Sequence, residues 1–308
     1  MLKKLRNLFK NSQINFMAYR KIAIYFSIIS MIFSLILVVF KGLNLGIDFA
    51  GGVLIEIELP NTGYNAISTA DNLRNILSSK FHDVQIQNID NDAFLIRLPL
   101  ANQEQNFLVK NIQQILQENF TEVQYRKIDY VGPQVGSELI FKGLVALVLS
   151  FIAIMIYITI RFEWQFGVGG IFALLHDAIV VLGFFAITGL EFNLTSIACI
   201  LTVIGYSIND SVVIYDRIRE NLAKHPKINL NDLINNSINS TLSRTILTAS
   251  TTLISLLALI IYGGNVLFSF SVATFFGIAL GTYSSIYISA PILFYFNSDL
   301  ITRKKQKL

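Results

Sequence analysis

Six stretches of the chain stay apolar long enough to cross a bilayer, and the segment after the first alternates apolar and polar positions instead. A helix needs roughly 20 apolar residues to cross the ~30 Å hydrocarbon core. The runs Ile22–Phe40, Leu139–Ile160, Phe166–Thr188, Phe192–Ile214, Leu242–Tyr262 and Phe268–Pro291 meet that length. Each predicts a transmembrane helix. The first run follows a basic stretch, but it is longer than a typical signal-peptide core, and Lys41-Gly42-Leu43 is a poor small-x-small cleavage site. It reads as an uncleaved anchor over 22–41.

Residues 42–138 carry a different pattern. Val53–Leu59 alternates apolar positions with Glu56 and Glu58, which predicts a strand. Asn65–Phe81 has helical spacing, with Ile67, Ala70, Leu73, Ile76 and Leu77 on one face. Val84–Ile89 and Ala93–Leu98 read as strands around an Asp90-Asn91-Asp92 turn. Gln103–Phe120 carries a second helical stripe of Phe107, Ile112, Ile115 and Leu116, and Val123–Val131 alternates again. The order β-α-β-β-α-β is the ferredoxin-like arrangement. The expected architecture is therefore a polytopic α-helical membrane protein with six transmembrane helices and one ferredoxin-like α+β domain between spans one and two. A cytoplasmic segment 1–21 precedes the first span, the other five spans fill 139–296, and a basic cytoplasmic tail occupies 297–308.

Composition supports that picture. The chain of 308 residues is 53% hydrophobic and 14% charged, against about 25% charged in soluble domains. Cys199 is the single cysteine, too few for a disulfide framework or a thiolate metal site. No Ser/His/Asp triad, paired catalytic carboxylates or phosphate loop stands out in the domain, so the chain reads as a non-enzyme with no cofactor and no metal.

The placement of basic residues sets the orientation. Lys3, Lys4, Arg6, Lys10, Arg20 and Lys21 precede the first span. Arg161 lies between spans two and three. Arg217, Arg219, Lys224 and Lys227 lie between spans four and five, and Arg303, Lys304, Lys305 and Lys307 close the chain. The short connections at Gly189–Glu191 and Gly263–Asn265 carry neither Lys nor Arg. Both termini are expected in the cytoplasm and the domain of 42–138 outside it.

Candidate chemistry lies inside the apolar runs. A charge near the centre of a spanning helix costs about 2.5–3.5 kcal/mol on insertion scales, so it is a functional candidate by default. Span four carries Gly205-Tyr206-Ser207-Ile208-Asn209-Asp210-Ser211, with Tyr206 one turn before Asp210 on the same face. In span five Arg244, Thr248, Thr251 and Ser255 follow helical spacing, a hydroxyl stripe running inward from a guanidinium. Asp210 and Arg244 share a depth and are placed to pair. Two readings stand open: a proton site in which Asp210 titrates and Arg244 switches it, or a static ion pair locking span four to span five. Asp177, beside His176 in span three, is equally open between ion coupling and a structural hydrogen bond to a neighbouring helix. Asp216, Arg217, Arg219 and Glu220 read as a solvated extension of span four. Gly277 and Gly281 permit close helix packing.

At these residues the chain resembles the SecD/SecF family, in its SecF branch, within the resistance-nodulation-division superfamily. Gly46-Ile47-Asp48-Phe49-Ala50-Gly51-Gly52 is similar to the family's G-I-D-F-x-G-G motif, with Gly46, Asp48, Gly51 and Gly52 as its matching positions. The run from Ile204 to Asn221 is similar to its fourth-span signature, and Leu175-His176-Asp177 and Ser243-Arg244-Thr245 match its third- and fifth-span motifs. Ala50 and Ser211 stand where threonine is common. The resemblance spans essentially the whole chain. It implies ion coupling through Asp210 and Arg244, with Asp177, Tyr206, Asn209 and Thr248 around them. It implies a SecD partner, the SecYEG channel, YajC as an accessory, a translocating polypeptide and surrounding membrane lipids, with no nucleic acid. The implied activity is late-stage protein translocation across the bacterial inner membrane, driven by a proton or sodium gradient. The rival readings are a half-transporter of the same superfamily exporting a small molecule or lipid, and a structural assembly factor. A single six-span half with one external domain disfavours the first, and costly intramembrane charges disfavour the second.

Overall fold

The computed structural model describes residues 13–59, 66–81, 84–89, 92–98, 105–120 and 122–296. They form two compact units. One is built from the stretches up to Asn44, Ala146–Glu191 and from Thr195 onward, the other from Leu45–Val145 with Phe192–Leu194.

The second unit is the βαββαβ domain. Its strands are β1 (Gly52–Glu58), β2 (Gln85–Asn88), β3 (Ala93–Leu98) and β4 (Gln124–Val131), and its helices are α2 (Ala66–Ser78) and α3 (Gln105–Asn119). All pairings are antiparallel, in the order β2-β3-β1-β4. Alternation decides which face is covered. Val53, Ile55 and Ile57 of β1 are fully buried with Leu73 and Leu77 of α2 and Ile112, Ile115 and Leu116 of α3. The intervening Glu56 and Glu58 stand on the opposite face, where Arg126 pairs with Glu58 at 2.9 Å. The alternation thus places the strands and helices as the sequence predicts, within one or two residues at most ends. The Asp90-Asn91-Asp92 turn falls partly outside the described residues, as do the tail 297–308 and most of 1–21.

Among the described residues, six helices are long and apolar enough to span a membrane, and most of their length falls in the first unit. They are α1 (Arg20–Phe40), α4 (Pro133–Arg161), α5 (Trp164–Thr188), α6 (Leu194–Lys224), α7 (Leu230–Tyr262) and α8 (Gly264–Ser284), the last extended by a π-helical turn at Ser285–Ser289 and a 3₁₀ segment at Pro291–Phe296. The helices outrun the apolar runs in places. With a rise of 1.5 Å per residue, the 33 residues of α7 reach about 50 Å, well beyond the bilayer core. The surplus turns are polar, and they carry Asn231, Asn235 and Asn239. Burial is uneven. The most apolar windows of α5 and α6 are 61% and 50% buried, those of α4 and α7 only 6% and 17%. The site therefore forms where α5, α6 and α8 meet.

Candidate ion-coupling site

Helix α6 buries a stripe that includes Val203, Ser207, Asp210, Ser211, Ile214 and Tyr215, at the three- and four-residue steps of one helical face. Small residues let α8 come close to it. A Cβ at Gly277 would collide with the side chain of Val203, and one at Gly281 would stand 3.0 Å from that of Ser207. The Gly277/Gly281 spacing thus performs the close packing read from the sequence. Past Ser284 the chain takes its π-helical turn, and π turns recur where a helix must re-aim side chains at a functional site. Here Ser284, Ser285 and Ser289 are all fully buried.

The result is a ladder of hydroxyls between α6 and the end of α8. Ser211 Oγ donates to Ser285 Oγ at 3.2 Å, and Ser285 Oγ donates to the Ser207 carbonyl at 3.1 Å. Tyr215 and Ser289 join their hydroxyls one turn further on. At the other end lies Asp177 of α5, with no exposed surface. Its Oδ2 accepts from Ser207 Oγ at 2.6 Å and Ser284 Oγ at 2.7 Å. Its Oδ1 lies 3.0 Å from His176 Nδ1, and a carboxylate only accepts, so that nitrogen donates. His176 Nε2 lies 3.4 Å from Ser30 Oγ of α1. Asp177 therefore ties α5, α6 and α8 together.

Asp210 is held differently. It is 3% exposed, yet among the described residues its Oδ2 is buried with no hydrogen-bond partner. One turn earlier the Tyr206 hydroxyl is likewise buried and unpartnered. An unsatisfied buried polar atom costs about 1–3 kcal/mol, more when charged, so two on one helical face mark a place where the chain departs from its own packing rules. Arg244 lies within electrostatic reach of Asp210, but among the described residues no ion pair joins them. Arg244 and Asn209 are exposed. Thr248 is half-buried, and its hydroxyl donates to the Arg244 and Thr245 carbonyls, both at 3.0 Å. Thr251 and Ser255 likewise donate to carbonyls of their own helix. The span-five hydroxyl stripe is therefore satisfied locally.

The glycine-rich motif lies in the other unit. Gly46 donates from its amide to the Phe192 carbonyl at 2.9 Å, and Asp48 Oδ2 accepts from the Leu194 amide at 3.1 Å. Leu194 opens α6, so Asp48 supplies a carboxylate to a helix N-terminus, where the peptide dipoles favour negative charge. Gly51 at φ 71° and Gly52 at φ 143° adopt backbone that other residues rarely take. Gly46, Asp48, Gly51 and Gly52 thus shape a turn and cap a helix. Asp216, Arg217, Arg219 and Glu220 do extend span four as an exposed charge network, with Arg217 on Glu220 at 2.6 Å and Arg161 on Asp216 at 3.5 Å.

Sequence reasoning missed the serines. Ser207, Ser211 and Tyr215 recur every four residues, which is a legible stripe. Ser285 and Ser289 keep that four-residue step, but Ser284 falls out of phase with them on an ideal helix, and the π turn at Ser285–Ser289 breaks the helical phase there.

Comparison with known proteins identifies the family. Residues 111–299 match the family described as Protein export membrane protein SecD/SecF, C-terminal. Residues 36–59 match the SecD/SecF GG Motif. The chain is 50% identical over 295 residues to the protein translocase subunit SecF of Rickettsia rickettsii, covering 94% of each chain. It is 51% identical over 284 residues to that of Rickettsia bellii, covering 91% of this chain and 92% of the relative. Its fold is similar to that of SecDF from Thermus thermophilus, a translocon-associated membrane protein, with TM-score 0.81 and 34% identity over 93% of this chain. A second SecDF structure, in a super-membrane-facing form, gives TM-score 0.71 and 33% identity. This chain spans 39% and 40% of the length of those two SecDF chains. With the family match covering more than half of the chain and relatives at half identity along nearly all of it, the chain belongs to the SecD/SecF family.

Proposed function

We propose that this chain acts as the SecF half of a gradient-driven protein-export motor. In this reading it pairs with SecD in the bacterial inner membrane and promotes late-stage movement of unfolded polypeptides through SecYEG, with YajC as an accessory. It works without catalysis. The names carried by the relatives, which match 94% and 91% of this chain, support the assignment. The basic-residue asymmetry places both termini in the cytoplasm and the βαββαβ domain outside. A cysteine introduced at exposed Asp71 in a Cys199→Ser background would then react with an impermeant reagent in intact cells, and labelling only after lysis would invert the topology.

The single observation that carries the mechanism is the unpartnered Oδ2 of buried Asp210. Charged, the carboxylate draws Arg244 toward it; protonated, it releases Arg244 and can donate to a neighbour. Arg keeps its proton throughout, so Asp210 is the member that titrates. Tyr206, Asn209 and Thr248 line the helices on either side of that exchange. Asp177 is a positioning residue, holding α6 against α8 while α7 shifts. One elementary charge crossing the membrane supplies ~2.3 kcal/mol per 100 mV, which biases a two-state equilibrium roughly 50-fold. That bias suffices to favour one position of the external domain and to hold an emerging polypeptide against backsliding.

The test is translocation into inverted membrane vesicles, with an imposed proton or sodium gradient or none. Asp210→Asn is expected to assemble with SecD and lose the gradient response. The gradient that the parent answers identifies the coupling ion. If Asp210→Asn vesicles respond as the parent does, Asp210 is a static partner.

A further inference from the structure

A second feature lies at the N-terminal end of α1. The segment before it, through the 3₁₀ turn Phe16–Tyr19, docks on the polar extension of α7. Three asparagines one turn apart on α7 read it. Asn239 Oδ1 accepts from the Ile14 amide at 3.0 Å, and Asn239 Nδ2 donates to the Ile14 carbonyl at 2.8 Å. Asn235 Oδ1 accepts from the Met17 amide at 3.1 Å, and Asn231 Oδ1 accepts from Arg20 Nη1 at 2.7 Å. Phe16 and Met17 are buried beneath it. Between this strap and α7 lies a cavity of about 420 Å³, lined by Arg20, Lys21, Asn229, Asn231, Asp232 and Asn235 among others.

We propose that this cavity binds the headgroup of an anionic phospholipid. Its depth is set by the chain: the apolar run of α1 begins at Ile22, so Arg20 and Lys21 stand at the headgroup layer. Its charge suits one phosphodiester. Two cations face one carboxylate, Asp232, which leaves a net positive site. Arg20 is fixed rather than trailing in solvent. Asn231 holds one edge of the guanidinium, and Phe294 lies under its face at 4.2 Å from the ring centroid. A guanidinium has five N–H donors, and one is bonded here among the described residues, so a fork remains for phosphate oxygens in the bidentate geometry that Arg favours. The asparagine amides beside it suit the ester and hydroxyl oxygens of a glycerol headgroup. Basic pockets between membrane helices at the headgroup level bind such lipids. The strap forms one wall, so an occupied site would also brace α1 against α7, the helix that carries Arg244.

The measurement is native mass spectrometry of the complex purified with its SecD partner in mild non-ionic detergent. It is titrated separately with phosphatidylglycerol, phosphatidylcholine and inorganic phosphate. The parent should retain one more tightly held phosphatidylglycerol than Arg20→Gln/Lys21→Gln, with affinity at that site lowered tenfold or more. Lys21→Gln alone, at an exposed position, should cost about fivefold and decides the matter if the double variant fails to fold. Arg74→Gln in the βαββαβ domain should change nothing. Equal retention by parent and variants overturns the proposal. So does equal retention of phosphatidylcholine, and so does displacement of the lipid by millimolar phosphate, which would make the cavity a free-anion site.

Discussion

Among the described residues, two carboxylates lie buried in the helical unit, one held by three donors and the other by none on its Oδ2. Asp177 has Ser207, Ser284 and His176 around it. Among the described residues, Asp210, on a helix that Asp177 itself grips, has an orphaned oxygen one turn from the orphaned Tyr206 hydroxyl. The difference separates two uses of the same costly group. A satisfied buried carboxylate is a fixed point, because every alternative arrangement loses hydrogen bonds. An unsatisfied one is a group whose energy falls when a proton or a counter-charge arrives, which is what a coupling site needs. The packing around them agrees. Asp177 sits among the most buried helices, whereas Arg244 rides exposed on α7, a helix buried over only 17% of its apolar window.

That contrast can be broken from the anchored side first, where the largest loss of stability is expected. Asp177→Ala removes the acceptor shared by Ser207, Ser284 and His176 and should cost about 3–5 kcal/mol, as breaking a buried charged network does. Thermal unfolding of the purified complex would read it, and a variant as stable as the parent would remove Asp177 from its anchoring role. Gly277→Leu should come next. It forces a branched side chain into Val203 and should cost about 1–3 kcal/mol by overpacking, with Gly277→Ala milder in the same assay. Asn235→Ala removes two hydrogen bonds from the strap, to the Met17 amide and to Asn15, and should cost about 1–2 kcal/mol, leaving the gradient response in place. On the mobile side the stability effect should be smallest and the functional effect large. Arg244→Lys keeps the charge and loses the planar fork, so it should unfold within about 0.5 kcal/mol of the parent, the usual range for surface substitutions, while its gradient response falls. An Arg244→Lys complex that keeps the full response would show that charge alone suffices.

Much of this is legible in the sequence. The βαββαβ order followed from alternation and helical spacing, and Ala93–Leu98 agrees to the residue, because a half-buried strand writes its geometry into every second position. The spans followed from apolar length. Their ends did not, because α6 and α7 continue past the bilayer as polar helix, and periodicity of hydrophobicity fades where no membrane requires it. Asp210 and Asp177 were both legible as costly groups, but their difference was not. It rests on Ser207 and Ser284, residues far apart in sequence, and on a π turn that re-aims the end of α8. The expected pairing of Asp210 with Arg244 was a statement about depth, and depth alone does not set the distance between two helices. The asparagines of α7 were silent as well, since their partner is the backbone of a segment more than two hundred residues away.

The central claim is that Asp210, and not Asp177, is the carboxylate that takes up and releases a proton. Infrared difference spectroscopy of the complex in membranes, stepped across pH or energised and relaxed, reads a carboxylic-acid C=O band directly. The account predicts a band that Asp210→Asn abolishes and Asp177→Asn leaves in place. A band that survives Asp210→Asn, or that only Asp177→Asn removes, would contradict it.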